Sequence, residues 1–92
     1  MTNTFSVAGT TEYKLALDGE TCSRFGLQTA TEYPVYVVIG ENLPAPNTPN
    51  YLLLSMDGTR ELVTSLAETD KVYVRSATAV DVALRGYSEG RT

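Results

Sequence analysis

Apolar and polar positions alternate along much of this chain. In Lys71-Val72-Tyr73-Val74-Arg75, the two valines fall on one side and Lys71, Tyr73 and Arg75 on the other. Val80-Asp81-Val82-Ala83-Leu84 repeats the pattern, with Val80, Val82 and Leu84 on the apolar side. A period of two is what a strand with one wet face and one buried face requires. The block predicts a closing pair of antiparallel strands. Directly opposed residues share a face, so Val74 is expected opposite Val80 or Val82. The second register sets Lys71 against Arg85, and the first sets it against Ala83.

The same reading places strands upstream. Thr4–Ala8 forms the first, with Phe5 and Val7 on one side. Glu12–Leu17 forms the second, with Tyr13, Leu15 and Leu17 facing one way. Asp18-Gly19 then predicts a hairpin, because both residues tolerate the positive φ of a type I′ turn. A three-residue loop, Asp18 to Glu20, pairs Tyr13 with Phe25 and keeps apolar residues together, whereas a two-residue loop sets Phe25 against Glu12. Tyr33–Ile39 is apolar on both faces and rich in β-branched and aromatic residues, as in a central or covered strand. Pro34 belongs at its start or at a bulge, since it cannot donate to a ladder.

Three of the four prolines, Pro44, Pro46 and Pro49, fall within Glu41–Asn50. They suppress helix and central strand and favour extended backbone. This loop is expected to cross between two sheets and to offer a stiff docking edge. Tyr51–Leu54 reads as a short buried strand. Asp57-Gly58 gives a second hairpin signal, which pairs Leu53 with Leu62 and Leu52 with Val63. Thr59–Leu66 has an alternative helical face, Leu62, Val63 and Leu66, but lacks a capping box, so strand is the expectation. Gly86–Thr92 is expected as an exposed tail anchored by Tyr87.

The fold class that follows is all-β: a small antiparallel β-sandwich or partly open β-barrel of about seven or eight short strands, with turn signals roughly every 8–12 residues. Ninety-two residues make one domain, since two cores would each fall to roughly 45 residues. Residues 1–4 and 86–92 are available as extended arms.

Composition narrows the chemistry. The net charge is −4, and the seven basic residues are scattered singly, which argues against nucleic acid. Cys22 is the only cysteine and His is absent. No intrachain disulfide can form, and no Ser-His, Cys-His or ordinary zinc constellation is available. Cys22 is expected to be a small apolar strand residue. The carboxylate pairs Asp18/Glu20, Asp57/Glu61 and Glu68/Asp70 all sit at turns, where carboxylates are solvated. No catalytic, metal or cofactor residues are predicted, and the chain is expected not to be an enzyme. No basic, apolar leader is visible, and the apolar runs Val35–Ile39 and Tyr51–Leu54 are too short to span a bilayer. A soluble protein made in a cytoplasm is the expectation. With six tyrosines and no tryptophan, attention turns to surfaces, because Tyr buries its ring while its hydroxyl stays wet. The expected contact residues are Leu43, Pro44, Pro46, Pro49, Lys71, Tyr73, Arg75 and Tyr87.

The run Leu66-Ala67-Glu68-Thr69-Asp70-Lys71-Val72-Tyr73-Val74-Arg75-Ser76, following strand hairpins and a proline-rich loop, resembles small virion proteins of tailed bacteriophages. The likeness lies mainly in Tyr51–Leu84. It implies a structural role on a virion, most of all as a capsid decoration (cement) protein. The partners would be the major capsid protein or another virion protein, with homo-oligomeric presentation and neither nucleic acid nor membrane. Two alternatives are a neck, tail or fibre-adaptor component, and a soluble β binding module such as an inhibitor or carbohydrate binder. In a carbohydrate binder, Tyr13, Tyr36 or Tyr73 would stack on the ligand.

Overall fold

Eight strands form two four-stranded antiparallel sheets in a computed structural model that describes residues 2–91. The strands are β1 (Thr2–Gly9), β2 (Lys14–Asp18), β3 (Cys22–Thr29), β4 (Val35–Gly40), β5 (Leu52–Leu54), β6 (Glu61–Ser65), β7 (Lys71–Ser76) and β8 (Val82–Gly90). Sheet I has the order β1-β8-β3-β6 and sheet II the order β2-β7-β4-β5. The overall extents, 38 × 25 × 19 Å, leave a thickness of two packed layers.

The alternation read in the sequence explains the core. Val72 and Val74 of β7, Val35 and Val37 of β4, and Leu54 of β5 point inward from sheet II and are buried. Phe25 and Leu27 of β3, with Val82 and Leu84 of β8, meet them from sheet I. Phe5 and Val7 of β1 and Leu62 of β6 pack at the margin. Cys22 is buried in the same cluster, and its thiol donates to the Arg24 carbonyl oxygen at 3.2 Å. Apolar residues thus meet between the layers and stay out of water, which is the main favourable term for such a domain.

The connections differ from those the turns predict. Only β4 and β5 are consecutive and paired; every other link carries the chain from one sheet to the other. The Asp18-Gly19 hairpin, with Tyr13 facing Phe25 and Leu17 facing Thr21, is therefore replaced. β2 pairs with β7, and β3 pairs with β6 and β8. No glycine among the described residues has positive φ, so neither Asp-Gly step forms a type I′ turn. Gly19 serves close approach instead. Its N–H donates to the Asp70 carbonyl oxygen at 2.7 Å, and a Cβ there would stand 2.6 Å from that oxygen and overlap the Ala67 carbonyl. The β2–β3 turn thus seats against the β6–β7 turn.

The Leu53–Leu62 and Leu52–Val63 pairs are absent for the same reason: β5 joins β4 and β6 joins β3. Val74 faces neither Val80 nor Val82. It lies opposite Lys14 and Val37, and β8 runs in the other sheet. The Ser76 hydroxyl, fully buried, diverts the chain there by donating to the Val80 carbonyl oxygen at 2.6 Å. Val80 consequently sits in a turn at 44% exposure and not in the core. The proline loop, expected to cross between sheets, instead joins neighbours within sheet II. The run expected as a buried strand over Tyr51–Leu54 is an edge strand over Leu52–Leu54 alone, and only Leu54 is buried. Residues 2–4 and 86–90, expected in arms and a tail, are paired: Thr2 faces Glu89 and Thr4 faces Tyr87. Met1 and Thr92 lie outside the described residues.

Candidate functional site: the outer face of sheet II

Register fixes which side chains share the outer face of sheet II. Leu15 lies opposite Tyr73, Tyr73 opposite Val38, Arg75 opposite Tyr36, and Tyr36 opposite Leu53. A bulge between Leu15 and Leu17 breaks the β2 alternation. It lets Leu17 turn inward opposite Val72 while Leu15 stays outside at 50% exposure. The single row expected for Tyr13, Leu15 and Leu17 is split by this extra residue.

Arg75 organises one end of the face. Its guanidinium carbon lies 5.7 Å from the Tyr13 ring centroid and 5.5 Å from that of Tyr36. Both distances are within cation–π range. The same guanidinium donates to the Pro46 carbonyl oxygen, which ties the proline loop to β7. Its Nε donates to the Ser76 carbonyl oxygen at 3.2 Å. Tyr51 packs against Tyr36 with ring centroids 4.0 Å apart and planes tilted by 38°. Hydrogen bonding to Tyr36 raises the Tyr51 phenol above its ordinary 10.0. Burial raises the Tyr13 phenol, and the Arg75 charge opposes that rise.

The expected contact residues are thereby divided. Leu43, Pro44 and Pro46 line a cleft of about 190 Å³ with Glu12 and Tyr13. Pro49 lines another, of about 390 Å³, beside Val37, Ile39, Tyr51 and Leu52 at the β5 edge. Arg75 borders the first through Tyr13 and Pro46, and it is linked to Tyr51 of the second only by way of Tyr36. Tyr73 is not the free ring its polar neighbours predict: flanked by Leu15 and Val38 on adjacent strands, it is only 7% exposed. Lys71 shares the face of Tyr73 and Arg75 but sits at the far end of β7, where it borders an open depression of about 380 Å³ with Glu20, Glu41, Glu68 and Thr69. Tyr87 lies on sheet I, on the other side of the molecule.

Leu15, Tyr51 and Leu53 belong to the face yet carry no signal of it in the sequence. Tyr51, Leu52 and Leu53 are 40%, 49% and 47% exposed. Three consecutive exposed apolar residues mark a surface kept for function. Their run reads as core until β5 is known to be an edge.

Acid–base chemistry finds little support in the geometry. Glu20, Glu41 and Glu68 are exposed in an open depression, whereas a catalytic carboxyl needs a desolvated, concave site. Asp18 accepts the Glu20 N–H at 3.0 Å, and Asp70 accepts the Ala67 N–H at 3.0 Å, so both are committed to turns. Among the described residues no group of three or more His, Cys, Asp or Glu could hold a metal ion, and no helix is long and apolar enough to cross a membrane. Comparison with protein-family models, with curated proteins and with solved structures gives no match.

Proposed function

We propose that this chain is a non-catalytic docking protein, and that the surface it docks on is a capsid in the manner of a decoration protein. The observation that supports docking is the outer face of sheet II, where Leu15, Tyr51 and Leu53 stay exposed around an ordered Tyr13–Arg75–Tyr36 cluster. Tyr and Arg dominate binding hot spots, and a rim of ordered loop excludes water from them. Arg75 holds the proline loop in place before any partner arrives, so less entropy is lost on binding. A specific interface needs about 800 Å² per partner, and a broad sheet face with an adjoining loop supplies that more readily than a cleft does. The virion setting rests on the likeness of residues 51–84 to tailed-phage structural proteins.

The test is reconstitution on capsids that lack the protein, with occupancy read from the bound-to-free ratio. Native protein should saturate the shell. Leu15→Glu with Leu53→Glu, or deletion of residues 43–49, should reduce occupancy at least tenfold while the far-ultraviolet spectrum is unchanged. Equal occupancy for these variants sinks the docking face, and no binding by native protein sinks the decoration role. Rings formed without capsid would instead indicate a neck, tail or fibre adaptor.

A carbohydrate-binding role is the second reading, and one observation favours it. An open groove of about 610 Å³ on sheet I is lined by Thr4, Phe5, Ser6, Gln28, Arg85, Gly86 and Tyr87, which sets polar groups beside two aromatic residues. Tyr13, Tyr36 and Tyr73 are poor stacking platforms, since Arg75 covers the first two and neighbours bury the third. A glycan array that binds native protein and loses binding with Tyr87→Ala would select this reading.

A further inference from the structure

We propose that β1 is a self-pairing edge, and that two copies of this chain join through it into a closed dimer whose sheets I run on as one. The four edge strands of the two sheets are β1 and β6, β2 and β5. Three carry the protections that keep an edge from pairing. β2 is bulged between Leu15 and Leu17 and bears Lys14 and Asp18. β5 has three residues, and β6 has five with Glu61 at its start. β1 has none of these. It runs eight residues, pairs with β8 without a register shift, and contains no proline or charged side chain. The first charged side chain in the sequence is Glu12.

Alternate residues of β1 direct their N–H and C=O groups to β8, and the others direct theirs away from the sheet. Thr2, Asn3, Thr4, Ser6 and Ala8 are exposed along this side. A second β1 running antiparallel satisfies the free groups, and a two-fold axis normal to the sheet relates the copies. Such an axis leaves each side chain on its own face, so it must pass through a pair of identical residues. Of the registers that meet that condition, two keep the longest overlap within β1. One sets Phe5 against its own counterpart, with Thr4 opposite Ser6. The other sets Ser6 against its counterpart, with Phe5 opposite Val7.

Both registers bring the Phe5/Val7 row of one copy beside that of the other, on the core side. Phe5 and Val7 are only half-buried in the single chain, because nothing lies beyond them at the edge. Aromatic and β-branched residues opposed across strands are among the favourable pairs. The symmetry is isologous, so assembly stops at two and leaves no further copy of this edge open. This surface is on sheet I, away from the docking face, and the inference stands whether or not that face binds a capsid.

The experiment is sedimentation velocity of the isolated native protein over roughly a hundredfold range of concentration, with hydrogen exchange of β1 amides measured in parallel. The expected result is a monomer–dimer equilibrium in which alternate β1 amides gain protection as the dimer forms. The double variant Thr4→Glu with Ser6→Glu places like charges directly opposite in either register. It should weaken the dimer at least about tenfold, with the unfolding midpoint of the monomer retained. Ser6→Glu alone, which lies opposite Arg85 in the same chain, should weaken it less. The proposal is overturned if native protein stays monomeric throughout or assembles beyond two. It is overturned equally if the double variant dimerises as well as native protein does.

Discussion

The ring of Tyr87 covers Gly26, so closely that a Cβ on residue 26 would stand 2.8 Å from its Cζ. The two residues face each other on β8 and β3, and the missing side chain makes room for the ring. Gly26→Ala should therefore lower stability by about 1–3 kcal/mol, the usual range for overpacking. Adding Tyr87→Ala should recover part of that loss, so the two changes will not sum in a urea-unfolding cycle. Gly86→Ala should cost more than Gly26→Ala. Its Cβ would overlap the Gly26 carbonyl oxygen, and backbone cannot swing aside as a ring can.

Arg91 fastens three segments. Its guanidinium donates to the carbonyl oxygens of Gly19 at 2.7 Å, Leu66 at 2.6 Å and Cys22 at 3.2 Å. Its own N–H donates to the Thr21 carbonyl oxygen at 3.2 Å. Charge-assisted bonds are the stronger kind, and partners left unsatisfied cost about 1–3 kcal/mol in total. Arg91→Ala should lower the denaturation midpoint accordingly. Arg91→Lys should restore only part of it, since an ammonium cannot span three carbonyls as a guanidinium does.

Alkaline pH should weaken the fold. The Tyr13 and Tyr51 phenols are both raised above 10.0, the first by burial and the second by hydrogen bonding to Tyr36. A group raised on folding adds stability that is complete below its unfolded value and disappears as pH climbs through the folded one. Stability should thus hold through neutrality and decline above about pH 10, with two late-titrating phenols in the tyrosinate absorbance. Arg75→Met should push Tyr13 later still, because the cation opposes the rise.

Removing the Arg75 guanidinium should also free the proline loop. Pro46 would lose its partner, and the Tyr13 and Tyr36 rings would lose the cation between them. Each exposed cation–π contact is worth about 0.5–1 kcal/mol, so the domain should stay folded. Limited proteolysis should cut Arg75→Ala within residues 41–50 faster than native protein, with Arg75→Lys in between.

Strand positions are legible in the chain, and strand neighbours are not. Alternation in Val72–Val74 and Val82–Leu84 reports that one face is buried, and both pairs are buried. It carries no record of which strand lies alongside. Asp18-Gly19 and Asp57-Gly58 are strong local turn signals, yet both turns carry the chain between sheets. The reason at Gly19 is tertiary: the space it vacates is filled by the Ala67 and Asp70 carbonyls, far along the sequence. Arg75 and the prolines of the docking face are legible from composition and position. Leu15 and Leu53 are not, because a bulge and an edge placement decide their exposure.

The alternation of the chain between layers bears on how the protein comes to be folded at all. Among the described residues β8 is the only strand paired with β1, so β1 must wait for residues 82–90 before it has a neighbour. Long-range closure of this kind is slow. During synthesis the uncharged β1 segment would emerge from the ribosome with no partner on either side, which makes that interval the one in which a nascent chain most needs a chaperone.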